Sequence, residues 1–423
     1  MQSSVSDSLP TAAAAVSPAS KVGVALGVGL AGTALTGIGF FVSDPRRVAL
    51  SWLVAVGYWT LIVVAMLMLV LIHHIFDASW GIVIRRQYEH WLAAVKWLFL
   101  LFLPLLAVSA FLKPGLVWLW MNPASVLPGS HETVGEDILY LKKAGYLNIG
   151  FFTLRLVLFF AVWIWLAYVV RRNSFRQDAD GDLKWTRSSR FWAAVGLPLS
   201  GFAITFASID WFKSLEYHWF STIYGVYFFA TGMRGALAIG VLLMLWLHRR
   251  GDYRGILNDN HLHSIGQLML TFTVFWAYIA FSQYFLIWNA NVPEETFYFN
   301  LREYGDWYWV GMSLLFLYFA FPFCYLLSYR HKIEHSRARF IAWWILVMLF
   351  VDICFNTLPA VRDAAGHPLP FFSPLMVWHV TALTGVGGIC VWAYLRSFAT
   401  TKLLPVRDPR IAECLTYHEG AAT

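Results

Sequence analysis

LSWLVAVGYWTLIVVAMLMLVLIHHI, residues Leu50–Ile75, contains no Asp, Glu, Lys or Arg. A helix rises about 1.5 Å per residue, so about 20 apolar residues reach across the ~30 Å hydrocarbon core of a bilayer. This run is long enough to cross. Similar runs lie at Lys21–Val42, Ala94–Leu112, Tyr146–Val170, Phe191–Ile209, Thr222–Leu247, Ile265–Ile287, Trp307–Leu327, Phe340–Leu358 and Pro374–Leu395. Together they use most of the 423 residues and leave no room for a soluble catalytic domain. Only 13% of the residues are charged and 59% are hydrophobic, against roughly 25% charged in soluble chains. The ~10-residue alternating strands of a membrane β-barrel are absent. The expected fold is all-α: a polytopic membrane protein of about ten transmembrane helices.

Residues 1–20 are Ala/Ser-rich without a basic start, and the apolar run behind them is too long for a signal peptide. They read as a tail, disordered or packed on a partner, ahead of a retained first helix. Residues 21–396 form the membrane domain, and residues 397–423 form a second tail. Basic residues favour the loops on the side of the termini by roughly 2.5 to one. That side is therefore expected to be cytoplasmic. The net charge of +7 reflects this bias. It does not point to nucleic acid, because no basic groove with stacking aromatics accompanies it. The opposite loops carry Glu132, Glu136, Asp137, Asp210, Glu216, Glu294, Glu295, Glu303 and Asp306. The long loop from Lys113 to Gly145 reads either as a cap on the bundle or as a docking surface for an extramembrane partner.

Cys324, Cys354, Cys390 and Cys414 form no C-x-x-C pair, which argues against ordinary Fe–S ligation or c-type haem attachment in this chain. A b-type haem would need facing histidines. His73 and His74 lie near the terminal side and His379 near the opposite side, most of a membrane apart. His248, His261, His263, His331 and His335 are expected to face water or headgroups.

Ionisable side chains inside a bilayer cost roughly 2.5–3.5 kcal/mol each on insertion scales, so they mark pairs or paths. Arg155 falls about 13 Å and Arg234 about 20 Å from the outer side. Asp352, Gln283, Asn289, Asn356 and His379 fall in the same half. Arg155 or Arg234 is expected to meet Asp352 or a carbonyl. Two readings stay open: a structural ion pair, or a proton-transfer chain or quinone-headgroup site. The turn DWFKSLEYHWFSTIYG, from Asp210, brings Asp210, Glu216 and His218 to the outer interface among Trp211, Tyr217 and Trp219. Ser221 and Thr222 are N-cap candidates for the next helix. The cluster reads as a solvated turn or as the mouth of a proton path.

DWFKSLEYHWFSTIYGVYFFATG (Asp210–Gly232) and FSQYFLIWNANVPEETFYF (Phe281–Phe299) resemble the NrfD-like membrane subunits of alternative complex III, above all the smaller of its two such subunits. The ten-span plan extends the resemblance over nearly the whole chain. It implies paired four-helix bundles plus two further helices, in a bacterial inner membrane. It also implies a non-redox subunit of a quinol:cytochrome c (or other acceptor) oxidoreductase, with a proton path and a docking surface. The complex would use menaquinol or ubiquinol. Its partners would be a second NrfD-like subunit, an Fe–S subunit and haem-c subunits, with lipids around them and a terminal oxidase as a further partner. No cofactor is expected within this chain. Asp210, Glu216, Ser221, Gln283, Glu294 and Glu295 stand at motif positions; Arg155, Arg234, Asp352, His218 and His379 enter from depth or position alone. Alternatives are quinol oxidation at an outer-half site of this chain, a secondary transporter, or a purely structural anchor.

Overall fold

The computed structural model describes residues 19–363 and 365–417. The expected N-terminal tail therefore lies outside the described residues, apart from the backbone of residues 19 and 20, as do residues 418–423 of the C-terminal tail. Among the described residues ten helices are long and apolar enough to cross a membrane. They are α1 (Lys21–Val42), α2 (Pro45–Phe76), α3 (Ile82–Leu112), α4 (Ile149–Asp180), α5 (Lys184–Glu216), α6 (Tyr224–Arg250), α7 (Asp259–Ala290), α8 (Trp307–Leu327), α9 (His335–Ala360) and α10 (Met376–Phe398). The protein is a multi-pass, all-helical membrane protein. An even number of spans brings both chain ends to one end of the bundle, the terminal end; the other is the far end.

The helices form two four-helix bundles, α2–α5 and α6–α9, joined where α2 and α5 pack against α6 and where α2 meets α9. The helices α2 and α6 are mainly apolar and buried on nearly every face, as suits a helix shared by two bundles. At their crossing a Cβ on Gly232 would stand 2.7 Å from the Leu61 carbonyl oxygen, so only glycine permits the approach. The pair α1 and α10 lies outside, against α2. It is sewn by small residues: a Cβ on Gly32 would stand 2.6 Å from the Gly385 nitrogen, and one on Gly388 would stand 2.5 Å from the Gly29 nitrogen. Lipid offers no hydrophobic drive between helices, so such close backbone packing supplies the association. Thr36 Oγ1 adds a hydrogen bond to Thr381 Oγ1 at 3.0 Å.

Several helices outrun their apolar runs. The helix α4 has 32 residues, about 48 Å at ~1.5 Å per residue. It ends where Gly181 takes a left-handed φ of 73°. At the start of α7, Asn258 and His261 cap the helix reciprocally. His261 is thus buried, contrary to the expectation of a solvated loop histidine. The largest departure is α3, which begins twelve residues before the apolar run, at IVIRRQYEHW. Arg85 and Arg86, two of the basic residues that the charge count assigns to loops on the terminal side, are buried there.

Candidate functional site

The far end carries the polar residues singled out by sequence, but the fold distributes them among separate hydrogen-bonded groups. Arg155, on the second turn of α4, meets Asp210 at the end of α5, not Asp352. Its Nε donates to Asp210 Oδ2 at 2.7 Å and its Nη2 to Oδ1 at 3.1 Å. Nη1 donates to the Tyr146 carbonyl at 3.0 Å. The Tyr146 hydroxyl donates to Asp210 Oδ1 at 2.9 Å, and the guanidinium lies 3.8 Å from the Tyr146 ring centroid. Both ionic groups are buried.

Glu216 accepts from Arg362, in the α9–α10 connection. His218 Nε2 and the Tyr217 hydroxyl each approach Asp137 Oδ2 at 2.6 Å. Burial pushes the Asp137 carboxyl up, but the bonds from Tyr217, His218 and the Leu139 amide outweigh it and leave its pKa below the usual aspartate range. These groups line a cavity of about 210 Å³, floored by Leu119, Leu215 and Ala360. The loop after α3 closes over the bundle here, with Trp118 donating its indole N–H to the Trp211 carbonyl at 3.1 Å. Asp210, Glu216 and His218 therefore do not form one acid cluster: each is held by a different partner.

Ser221 and Thr222 do not cap α6, which starts behind Ile223 without a side-chain cap. Ser221 instead donates to Gln283 Oε1 at 2.9 Å, tying the two motif stretches together. Glu294 and Glu295 sit on the first turn of a short helix, Pro293–Arg302, where carboxylates suit the positive end of the helix dipole. Glu294 is exposed and Glu295 half-buried.

Asp352 lies on α9 and is completely buried. It accepts from the Tyr227 hydroxyl, from Thr231 Oγ1 at 3.1 Å and from Asn356 Nδ2 at 3.3 Å. Asn356 Nδ2 also donates to the Tyr227 oxygen at 3.2 Å, and Asn356 Oδ1 accepts from the Tyr298 hydroxyl at 3.1 Å. Tyr298 belongs to the far-end helix Pro293–Arg302, where its ring stacks on Trp219, with centroids 3.8 Å apart. A hydrogen-bonded file thus runs from the interior carboxylate to the cap of the bundle. Arg302 fastens that cap, donating to the carbonyls of Phe355 and Asn356 at 3.0 and 2.9 Å.

Arg234 reaches a carbonyl, the second of the expected partners. Pro322 has no N–H, so the Tyr318 carbonyl four residues earlier lacks its usual α-helical donor. Residues Leu314–Ala320 form a π-helical segment there. Arg234 Nη2 donates to that carbonyl at 2.6 Å, with the guanidinium 3.6 Å from the Tyr318 ring centroid and 5.2 Å from that of Trp276. Among the described residues Arg234 Nε and Nη1 have no hydrogen-bond partner. His379 stands apart on α10, buried, with no hydrogen bond at either ring nitrogen among the described residues. It shares no hydrogen bond with Asp352 or Gln283.

A second buried polar network, at the terminal end, was missed from sequence. Glu89 is completely buried between Arg85 and Arg86, at 3.4 and 3.3 Å, and accepts from Ser174 Oγ at 2.7 Å. Arg86 also pairs with Asp178 at 2.6 Å and Arg85 with Asp408 at 2.5 Å. The available signal was IVIRRQYEHW itself, whose mixed charges lie against an apolar run and are as compatible with a buried helix start as with a loop. Among the described residues no group of three or more His, Cys, Asp or Glu side chains could hold a metal ion. No family model matches the chain, and no curated protein matches it.

Proposed function

We propose that this chain is the proton-handling membrane subunit of a quinol-oxidising respiratory complex, with Asp352 as the group that takes up and releases protons. Two lines support the reading: the resemblance of the two quoted stretches, and the contrast between the chain's two deepest far-end carboxylates. Asp210 is gripped by two nitrogens of one arginine, Nε and Nη2 of Arg155. Asp352 is held by hydroxyls and an amide. Hydroxyls can donate to the ionised acid and accept from the neutral one, so both protonation states keep a partner. The single observation that carries the proposal is this completely buried carboxylate, with no Lys, Arg or His nitrogen within 4.0 Å among the described residues and a file through Tyr227, Asn356 and Tyr298 to the far end. In this reading the termini face the cytoplasm of a bacterium. Quinol is oxidised on a neighbouring subunit, and Fe–S clusters and haem c on partners carry the electrons.

The test uses the intact assembly, purified in mild detergent and reconstituted in vesicles. Co-purification of haem-c and Fe–S chains is expected; a homogeneous single chain would sink the assignment. Within the complex, Asp352→Asn should leave quinol oxidation by the detergent-solubilised enzyme intact and abolish the associated proton movement in vesicles. Unchanged proton movement would overturn the role of Asp352.

A further inference from the structure

The segment behind α10 is not a free tail. Residues 403–417 cross the terminal end and touch both bundles. On the first bundle, Gln87 Nε2 donates to the Leu403 carbonyl at 2.9 Å, and Arg407 donates to the Ala179 carbonyl. Asp408 pairs with Arg85 at 2.5 Å, and Arg410 donates to the Asp77 carbonyl. On the second bundle, His261 Nε2 lies 3.1 Å from the Cys414 carbonyl, and Asn258 Nδ2 donates to the Tyr417 carbonyl at 3.0 Å. Leu404, Asp408, Ile411 and Cys414 turn inward at a three-to-four-residue spacing and are all buried. A strap with one face packed and its other face in water has a different opening equilibrium from the helices under it.

We propose that residues 403–417 form a clasp that fastens the two four-helix bundles at the terminal end, screens the buried Arg85–Glu89–Arg86–Asp178 network from water, and opens as a unit when the Asp408–Arg85 pair is broken. The pair is the clasp's buried ionic contact; without Asp408 the clasp loses this charge-assisted hydrogen bond, and Arg85 keeps Glu89, at 3.4 Å, as its carboxylate partner. The contacts with Arg407 and Arg410 lie nearer the surface and contribute less.

Cys414 reports the opening. It is fully buried, and burial pushes its thiol up to about 12, so the closed clasp presents almost no thiolate at pH 7.5. In a Cys324→Ala background, in native membranes, a membrane-permeant maleimide should label Cys414 slowly. Asp408→Asn should raise that rate by roughly 100-fold. Arg410→Ala should raise it by roughly two- to fivefold. Cys354 and Cys390, buried in α9 and α10, should stay unlabelled in both and certify the fold. If Asp408→Asn does not accumulate, Arg410→Ala decides alone. The clasp is overturned if Cys414 stays silent in every variant that accumulates, if wild-type Cys414 reacts at the rate of an exposed thiol, or if all three cysteines become reactive together.

Discussion

Replacing Arg155 by alanine tests whether the Arg155–Asp210 pair is architecture or machinery. The substitution removes three N–H···O contacts, two to Asp210 at 2.7 and 3.1 Å and one to the Tyr146 carbonyl at 3.0 Å, around a carboxylate that is 1% exposed in the intact protein and keeps Tyr146 as a donor. Breaking a buried pair from one side costs roughly 3–5 kcal/mol, because an unpaired charge stays behind. Replacing both members by apolar groups of similar size removes that charge as well, and such replacements are often neutral or stabilising by ~1–4 kcal/mol. Arg155→Ala and Asp210→Ala should therefore each destabilise strongly. Arg155→Met combined with Asp210→Leu should be markedly more stable than Arg155→Ala. The assay is unfolding in mixed detergent micelles, followed by intrinsic tryptophan fluorescence. An Arg155→Ala cost below about 1 kcal/mol, as for a solvated pair, would refute the reasoning. So would a double variant as unstable as the sum of the two single ones.

Gly388→Leu should detach α1 from α10, since even a Cβ would stand 2.5 Å from the Gly29 nitrogen; loss of a disulfide cross-link between cysteines placed at Thr36 and Thr381 would show it. Asp137 has a depressed pKa in the folded state, so its contribution is present above the ordinary aspartate value near 3.9 and is lost as pH falls through the depressed one. Acid should therefore loosen the loop after α3, read by hydrogen exchange around Leu139, and Asp137→Asn should remove that pH dependence; an unaltered profile would count against the assignment. Topology is checked by cysteines at Glu294 and Arg330, at opposite ends of the bundle: an impermeant reagent should reach them from opposite sides of the membrane, with Glu294 on the side away from the termini.

Membrane architecture was legible because lipid solvates no backbone: each span must satisfy its own hydrogen bonds, so length and apolarity mark it residue by residue. Leu50–Ile75 needed no partner to be read as a helix, and each of the ten runs falls on one of the ten long apolar helices found among the described residues. Helix ends were less legible, because α3, α4 and α7 continue past their apolar runs once neighbouring helices cover their polar turns. Asp352 and Arg234 were conspicuous as charges within apolar runs, while Glu89 was not, because it stood among residues that could equally form a loop.

Partnership is what the sequence could not supply. Depth alone put Arg155, Arg234 and Asp352 in one half of the membrane, but a pair forms only between faces that packing turns toward each other. Arg155 on α4 met the end of α5, its packing neighbour. Arg234 on α6 met a carbonyl on α8 whose in-helix donor Pro322 withholds. Asp352 on α9 was left to the hydroxyls of α6. Composition and hydropathy determined how many long apolar helices there are and where they lie along the chain. Tertiary packing decided that Asp210 meets a guanidinium while Asp352 meets hydroxyls and an amide, because that depends on distances of a few ångströms between helices far apart in the chain.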